Sequence, residues 1–122
     1  MTPPLMLWAA AFVWTCAFEF PVYFAVLSRS RPERSVLRIV VAALTAQWAT
    51  HPALWYKVPR FDPYWAWVSV AEVGVTLVEI LVVKRIAGVT WLQATLASVA
   101  ANTFSTLAGL QMVPWLAEAW TA

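Results

Sequence analysis

The chain has 122 residues, 62% of them hydrophobic and 11% charged, with a formal net charge of +2 and a mean hydropathy of +0.71. A soluble domain of this length cannot hide that much apolar surface, whereas a bilayer accepts it as the solvent-facing side. A single cysteine, Cys16, excludes an internal disulfide and a cysteine-built metal site, and no basic patch with interleaved aromatics points to nucleic acid.

Four apolar runs predict four transmembrane helices in one domain, residues 1–122. The first covers about 5–27. Residues 1–4 carry no Lys or Arg, and the run passes Cys16 without a small-residue cleavage site, so a retained helix is expected in place of a signal peptide. Ser28 to Ser35, with Pro32 inside, should end it. The second covers about 36–56 and closes at Lys57-Val58-Pro59-Arg60. The third covers about 64–83 and stops at Lys84-Arg85, with Gly88 in the turn. The fourth covers about 91–113, with Pro114 at its end. Each run holds the roughly 20 residues that a hydrocarbon core about 30 Å thick requires. The expected fold is therefore all-α, an integral membrane four-helix bundle with short loops.

Charge sets the expected direction. Arg29, Arg31, Arg34, Arg38, Lys84 and Arg85 gather on one side, and Lys57 and Arg60 on the other. By the positive-inside rule the loops at 29–38 and 84–90 are cytoplasmic and both termini lie outside. Trp8, Trp55, Tyr56, Tyr64, Trp65, Trp67, Trp115 and Trp120 would mark the outer interface and Trp91 the inner one. Trp14 and Trp48 sit deeper, as packing residues. Glu118, beyond Pro114, reads as solvated.

Each span also carries a polar stripe. Thr15, Glu19 and Tyr23 share a face on the first, and Gln47 and His51 on the second. Ser69, Glu72, Thr76 and Glu79 run along the third; Thr95, Ser98, Asn102, Ser105 and Gly109 run along the fourth. The economical arrangement turns all four stripes inward. Ala97, Ala101, Ser105 and Gly109 also form a small-residue ladder, which predicts close helix packing. With a rise of about 1.5 Å per residue, Glu79 lies roughly 7 Å from the inner boundary and Glu19 roughly 12 Å. On the same rise Asn102 lies at roughly 16 Å, Glu72 at roughly 18 Å and His51 at roughly 20 Å, which predicts a shared layer for the last three. Pro21, and Pro52 after Thr50-His51, should loosen their helices and free nearby carbonyls.

A charge at the bilayer centre costs about 3 kcal/mol on insertion scales, so an intramembrane carboxylate is a functional hypothesis by default. The leading expectation is a proton or cation site built from Glu19, His51, Glu72, Glu79 and Asn102, in an oligomer or a larger membrane complex. A divalent metal on Glu19, His51 and Glu72 is one form of it, although no Glu-x-x-His or His-Glu-x-x-His spacing occurs. The alternative is a structural or assembly subunit whose carboxylates pair with a partner's groups. An intramembrane acid/base enzyme using Glu72 and His51 comes third. No nucleophile elbow, phosphate-binding Gly loop, zinc-protease motif or nucleotide or haem motif is present.

Glu19 with Pro21, Thr50-His51-Pro52 before Trp55, Glu72 with Glu79, and Ser98, Asn102 and Ser105 with Gly109 resemble the motif set of a group of small bacterial membrane proteins. The resemblance covers nearly the whole chain, implies a bacterial inner-membrane setting, and brings no activity with it. Gln47 departs from the Asn that the resemblance would place there.

Overall fold

The structure, a computed structural model, describes residues 3–121, with side chains described for 5–112. The expected interface residues Trp115 and Trp120, and Glu118, lie outside the described side chains.

The described residues form four α-helices and no strand: α1 Pro3–Ser30, α2 Val36–Tyr56, α3 Tyr64–Val83 and α4 Trp91–Thr121, with a π-helical turn Lys84–Gly88 extending α3. The middle helices keep the expected bounds because local chemistry sets them. Ser35 caps α2 by accepting the Arg38 backbone N–H at 3.2 Å. Thr90 and Gln93 form a reciprocal capping box at the start of α4, each backbone N–H donating to the other's side-chain oxygen at 3.1 Å. The outer helices exceed expectation. α1 continues to Ser30, and α4 runs through Pro114 to Thr121. A proline removes one N–H and crowds one carbonyl, which bends a helix more readily than it stops one when the flanking residues favour helix. Pro21 and Pro52 likewise lie inside α1 and α2 without ending them.

Each helix packs against its two neighbours in a ring, α1 on α2, α2 on α3, α3 on α4 and α4 on α1, with no diagonal pair in contact along the backbone among the described residues. Short connections between packed neighbours make consecutive helices antiparallel. The α1–α2 and α3–α4 connections therefore share one end. There Arg34 donates to the Gly88 carbonyl (Nη2 to O, 2.9 Å) and Arg38 to the Ile86 carbonyl (Nε to O, 2.7 Å), so two guanidinium groups of one connection satisfy the terminal carbonyls of the other. Gly88 takes φ +64°, in the left-handed region, and a Cβ there would stand 2.8 Å from Arg38 Nη2. At the opposite end Trp67 is buried beneath the α2–α3 connection, donating to the Pro59 carbonyl at 3.2 Å, and the Arg60 guanidinium lies 5.7 Å from the Trp55 ring centroid and 5.3 Å from that of Trp67.

The interior is built from small and polar residues. Ala42, Ala43, Ala46, Ala94, Ala97 and Ala101 are buried, with Leu27, Ile39 and Val83 among the few larger aliphatics. Leu37, Trp65, Val70, Leu77, Leu92 and Leu107 instead face outward. Trp14 and Trp48 pack on Phe18 and Phe12, ring centroids 4.9 and 5.0 Å apart, yet keep an exposed face. Ala97 and Ala101 act as the small-residue ladder predicts, but Gly109 does not: a Cβ there would meet nothing within 4 Å.

Two of the four helices are long and apolar enough to cross a membrane by length and composition, over Leu5–Ser30 and Tyr64–Gly88. The four equal spans expected from sequence are thus narrowed to two on this criterion. The difference has a cause in the interior: α2 spends Gln47, Thr50 and His51 on it, and α4 spends Ser98, Asn102 and Ser105, which lowers their hydropathy.

Candidate functional site: two buried carboxylates

Glu19 and Glu79 are the most deeply buried acidic side chains among the described residues, at 1% and 0% exposure. They come from α1 and α3, and α1, α2 and α4 supply them with hydrogen-bond donors. Gln47 on α2 donates its amide to Glu19 Oε2 and, at 3.4 Å, to Glu79 Oε1, so one side chain bridges both carboxylates. Ser105 on α4 donates to Glu19 Oε1 at 2.6 Å. Glu79 Oε2 accepts from Tyr23 OH at 2.9 Å and from the Asn102 amide, and its Oε1 accepts from Thr50 Oγ1 at 3.1 Å.

The register follows from helical spacing. Thr15, Glu19 and Tyr23 descend α1 every four residues, while His51 and Gln47 descend the antiparallel α2 at the same interval. Glu19 therefore meets Gln47, and one turn away Thr15 meets His51, with Oγ1 and Nε2 3.4 Å apart. His51 sits in an aromatic nest, its ring centroid 5.5 Å from Phe12, 6.3 Å from Trp55 and 6.4 Å from Trp8, and its buried Nδ1 has no hydrogen-bond partner.

The structure does not gather His51, Glu72 and Asn102 around one site. His51 faces α1. Glu72 leaves the interior and lines a groove between α3 and α4, with the Thr106 hydroxyl beside it. Glu72 and Glu79 differ by only about 20° around α3, since seven residues fall just short of two turns. What separates them is company: all four helices converge on Glu79, whereas α3 and α4 part at the level of Glu72. The trio Glu19, His51 and Glu72 is accordingly not gathered, and among the described residues no cluster of three metal-ligating His, Cys, Asp or Glu side chains occurs. Asn102 does join the site, on Glu79. Tyr23, Gln47, Ser98 and Ser105 lay on the inward stripes without being singled out as site residues. Thr50 lay off them, although three residues from Gln47 is helical-neighbour spacing.

Comparison of the chain with protein-family models, with curated proteins and with solved structures finds no match. The chemistry of the site has to speak for itself.

Two features define that chemistry. First, no cation answers the carboxylates: the one ion pair among the described residues is Arg31 with Glu33, at 3.4 Å on the surface. Two buried negative charges without a counter-ion are prohibitively costly, so the pair requires positive charge from outside the chain. Second, each hydroxyl in the site has another polar atom in reach. Thr50 Oγ1 is 3.0 Å from the Ala46 carbonyl, Ser105 Oγ is 3.2 Å from the Asn102 carbonyl, and Tyr23 OH is 3.3 Å from Ser98 Oγ. A hydroxyl carries one proton and two lone pairs. When a carboxylate gains a proton, Thr50 or Ser105 can turn its own proton to the helix carbonyl and accept the new O–H, leaving no group unsatisfied.

Proposed function

We propose that the chain is a four-span integral membrane protein whose Glu19–Glu79 pair binds and releases a proton in the membrane interior. The reading takes residues 1–122 as one transmembrane domain in a bacterial inner membrane. The loops at 29–38 and 84–90 face the cytoplasm, both termini lie outside, and the protein works as an oligomer or within a membrane complex.

Support for the membrane setting comes from the inverted distribution of side chains. Large aliphatics and tryptophans face outward while Glu, Gln, Asn, Ser and alanine fill the inside, the reverse of a water-soluble bundle. Of the residues in the two most apolar windows, only 17% and 22% are buried, which supports a lipid-facing setting over that of a soluble core helix, where most residues are buried. Support for the orientation comes from the clasp of Arg34 and Arg38 on the α3–α4 turn, which collects six of the eight basic residues at one end.

The observation that carries the proton reading is a cation-free carboxylate pair ringed by hydroxyls with a second polar atom in reach. It favours a proton over a metal ion, because among the described residues no third His, Cys, Asp or Glu joins the two carboxylates to complete a ligand set, whereas the hydroxyls can accept a new O–H. The test is proton flux into proteoliposomes under an imposed potential, read by an entrapped pH-sensitive dye, with elemental analysis of the same preparation. Wild-type protein should carry protons, and Glu19→Gln and Glu79→Gln should each lose about 100-fold while remaining monodisperse. Flux no greater than that of protein-free vesicles would sink the reading. So would Gln variants as active as wild type, or a stoichiometric metal that disappears with either carboxylate.

A further inference from the structure

Glu72 is not used by the buried pair. It lines a cavity of about 330 Å³ on the α3–α4 flank together with Tyr64, Trp65, Val68, Thr106 and Leu110. A second cavity of about 530 Å³ continues from Glu72 along the same two helices toward Asn102. The first cavity is aliphatic and aromatic except for this carboxylate and a few hydroxyls, whereas the second adds threonines and the Asn102 amide. Trp65 and Tyr64 stand at the outer mouth, with much of each ring exposed.

A carboxylate on an apolar flank is costly, and here its neighbour is the neutral Thr106 hydroxyl, with no charged partner among the described residues. No Lys, Arg or His forms an ion pair with Glu72 among the described residues. The Arg60 guanidinium, at the same end of the bundle, is already engaged over Trp55 and Trp67. Charge complementarity therefore calls for a cation from outside. The walls decide which kind: they offer aromatic faces and methyl groups in place of the several oxygen ligands that a hard metal ion requires.

We propose that the α3–α4 groove binds a lipophilic organic monocation, a quaternary or tertiary ammonium or phosphonium. Its charge would sit at Glu72 and its apolar groups would lie against Tyr64, Trp65 and Leu110. This rests on the membrane reading above and not on proton uptake by Glu19 and Glu79. A groove open to the side admits such a ligand from the bilayer, where lipophilic cations partition, without any opening at either end.

The experiment is equilibrium dialysis of the purified protein in detergent against tetraphenylphosphonium, with tetraphenylborate as a probe of the same shape and opposite charge. Saturable binding of the phosphonium at one site per chain is expected, with none of the borate. Glu72→Gln should weaken binding about tenfold, and Trp65→Ala by less. Glu19→Gln and Glu79→Gln should bind as wild type does, even if they carry no protons, which keeps the two readings separable. Glu72→Asp, which retains the charge, should bind better than Glu72→Gln and guards against a folding defect. Equal uptake of both probes, undiminished binding by Glu72→Gln, or loss of binding in Glu79→Gln but not in Glu72→Gln would each overturn the proposal.

Discussion

Replacing Gln47 by Leu removes the one side chain among the described residues that hydrogen-bonds both buried carboxylates, while nearly conserving volume. Glu79 loses its longest contact, at 3.4 Å, and keeps Tyr23, Asn102 and Thr50. Glu19 loses its donor at Oε2 and retains Ser105 alone. The cost thus falls on Glu19. Leaving a buried acceptor without its donor costs about 1–3 kcal/mol, and interhelical hydrogen bonds in membrane proteins are worth about 0.6 kcal/mol on average and about 1.7 at most. The two ranges overlap near 1.5 kcal/mol, close to a tenfold loss in the folded-to-unfolded ratio. Reversible unfolding in mixed micelles titrated with dodecyl sulfate, followed by circular dichroism, measures it. A double-mutant cycle with Glu19→Met should return a coupling of about 1 kcal/mol. Additivity within about 0.3–0.5 kcal/mol would refute the assignment of Gln47 as the donor to Glu19.

The small residues should respond oppositely to enlargement. Gly109→Ala meets open space and should match or exceed wild-type stability by up to about 1 kcal/mol, whereas Ala101→Leu, at a fully buried position, should cost about 1–3 kcal/mol in the same titration. Gly88→Ala should cost about 1–2 kcal/mol, since it forces a side chain into the left-handed region and crowds Arg38; thermal melts of Gly88→Ala and Arg38→Gln should fall together. His51→Phe should stay within about 1 kcal/mol of wild type, because its ring packs among aromatics and Nδ1 has no partner to lose. A melt lowered well beyond that would show that His51 has a partner of greater worth than Thr15.

Much of the fold can be read from local chemistry. Ser35, Pro63, and Thr90 with Gln93 mark where α2, α3 and α4 begin, and four-residue spacing on α1 predicts that Glu19 and Tyr23 share a face. The site was legible in kind and less so in membership. Depth along each helix gives height but no bearing, so residues reckoned to one height, such as His51 and Glu72, can fall on different sides of the bundle. Whether an inward stripe stays inward depends on where two helices part, and that is set by packing between chain segments far apart in sequence. The same blindness hid Thr50, whose role depends on Glu79 arriving from another helix.

The guanidinium clasp has a mechanical consequence. Arg34 and Arg38 staple the α1–α2 hairpin to the α3–α4 hairpin at one end, while at the other end the covalent link through residues 57–63 is backed by the packing of Arg60 on Trp55 and Trp67. Any breathing motion that preserves the staples must swing the two hairpins like tongs about their joined end, so the widening is greatest at the far mouth. The carboxylate pair lies between the two hairpins, with Glu19 and Gln47 on one jaw and Glu79 and Asn102 on the other. The Gln47, Thr50 and Tyr23 bonds to Glu79 and the Ser105 bond to Glu19 span that gap, and together they are the latch that such a motion would release.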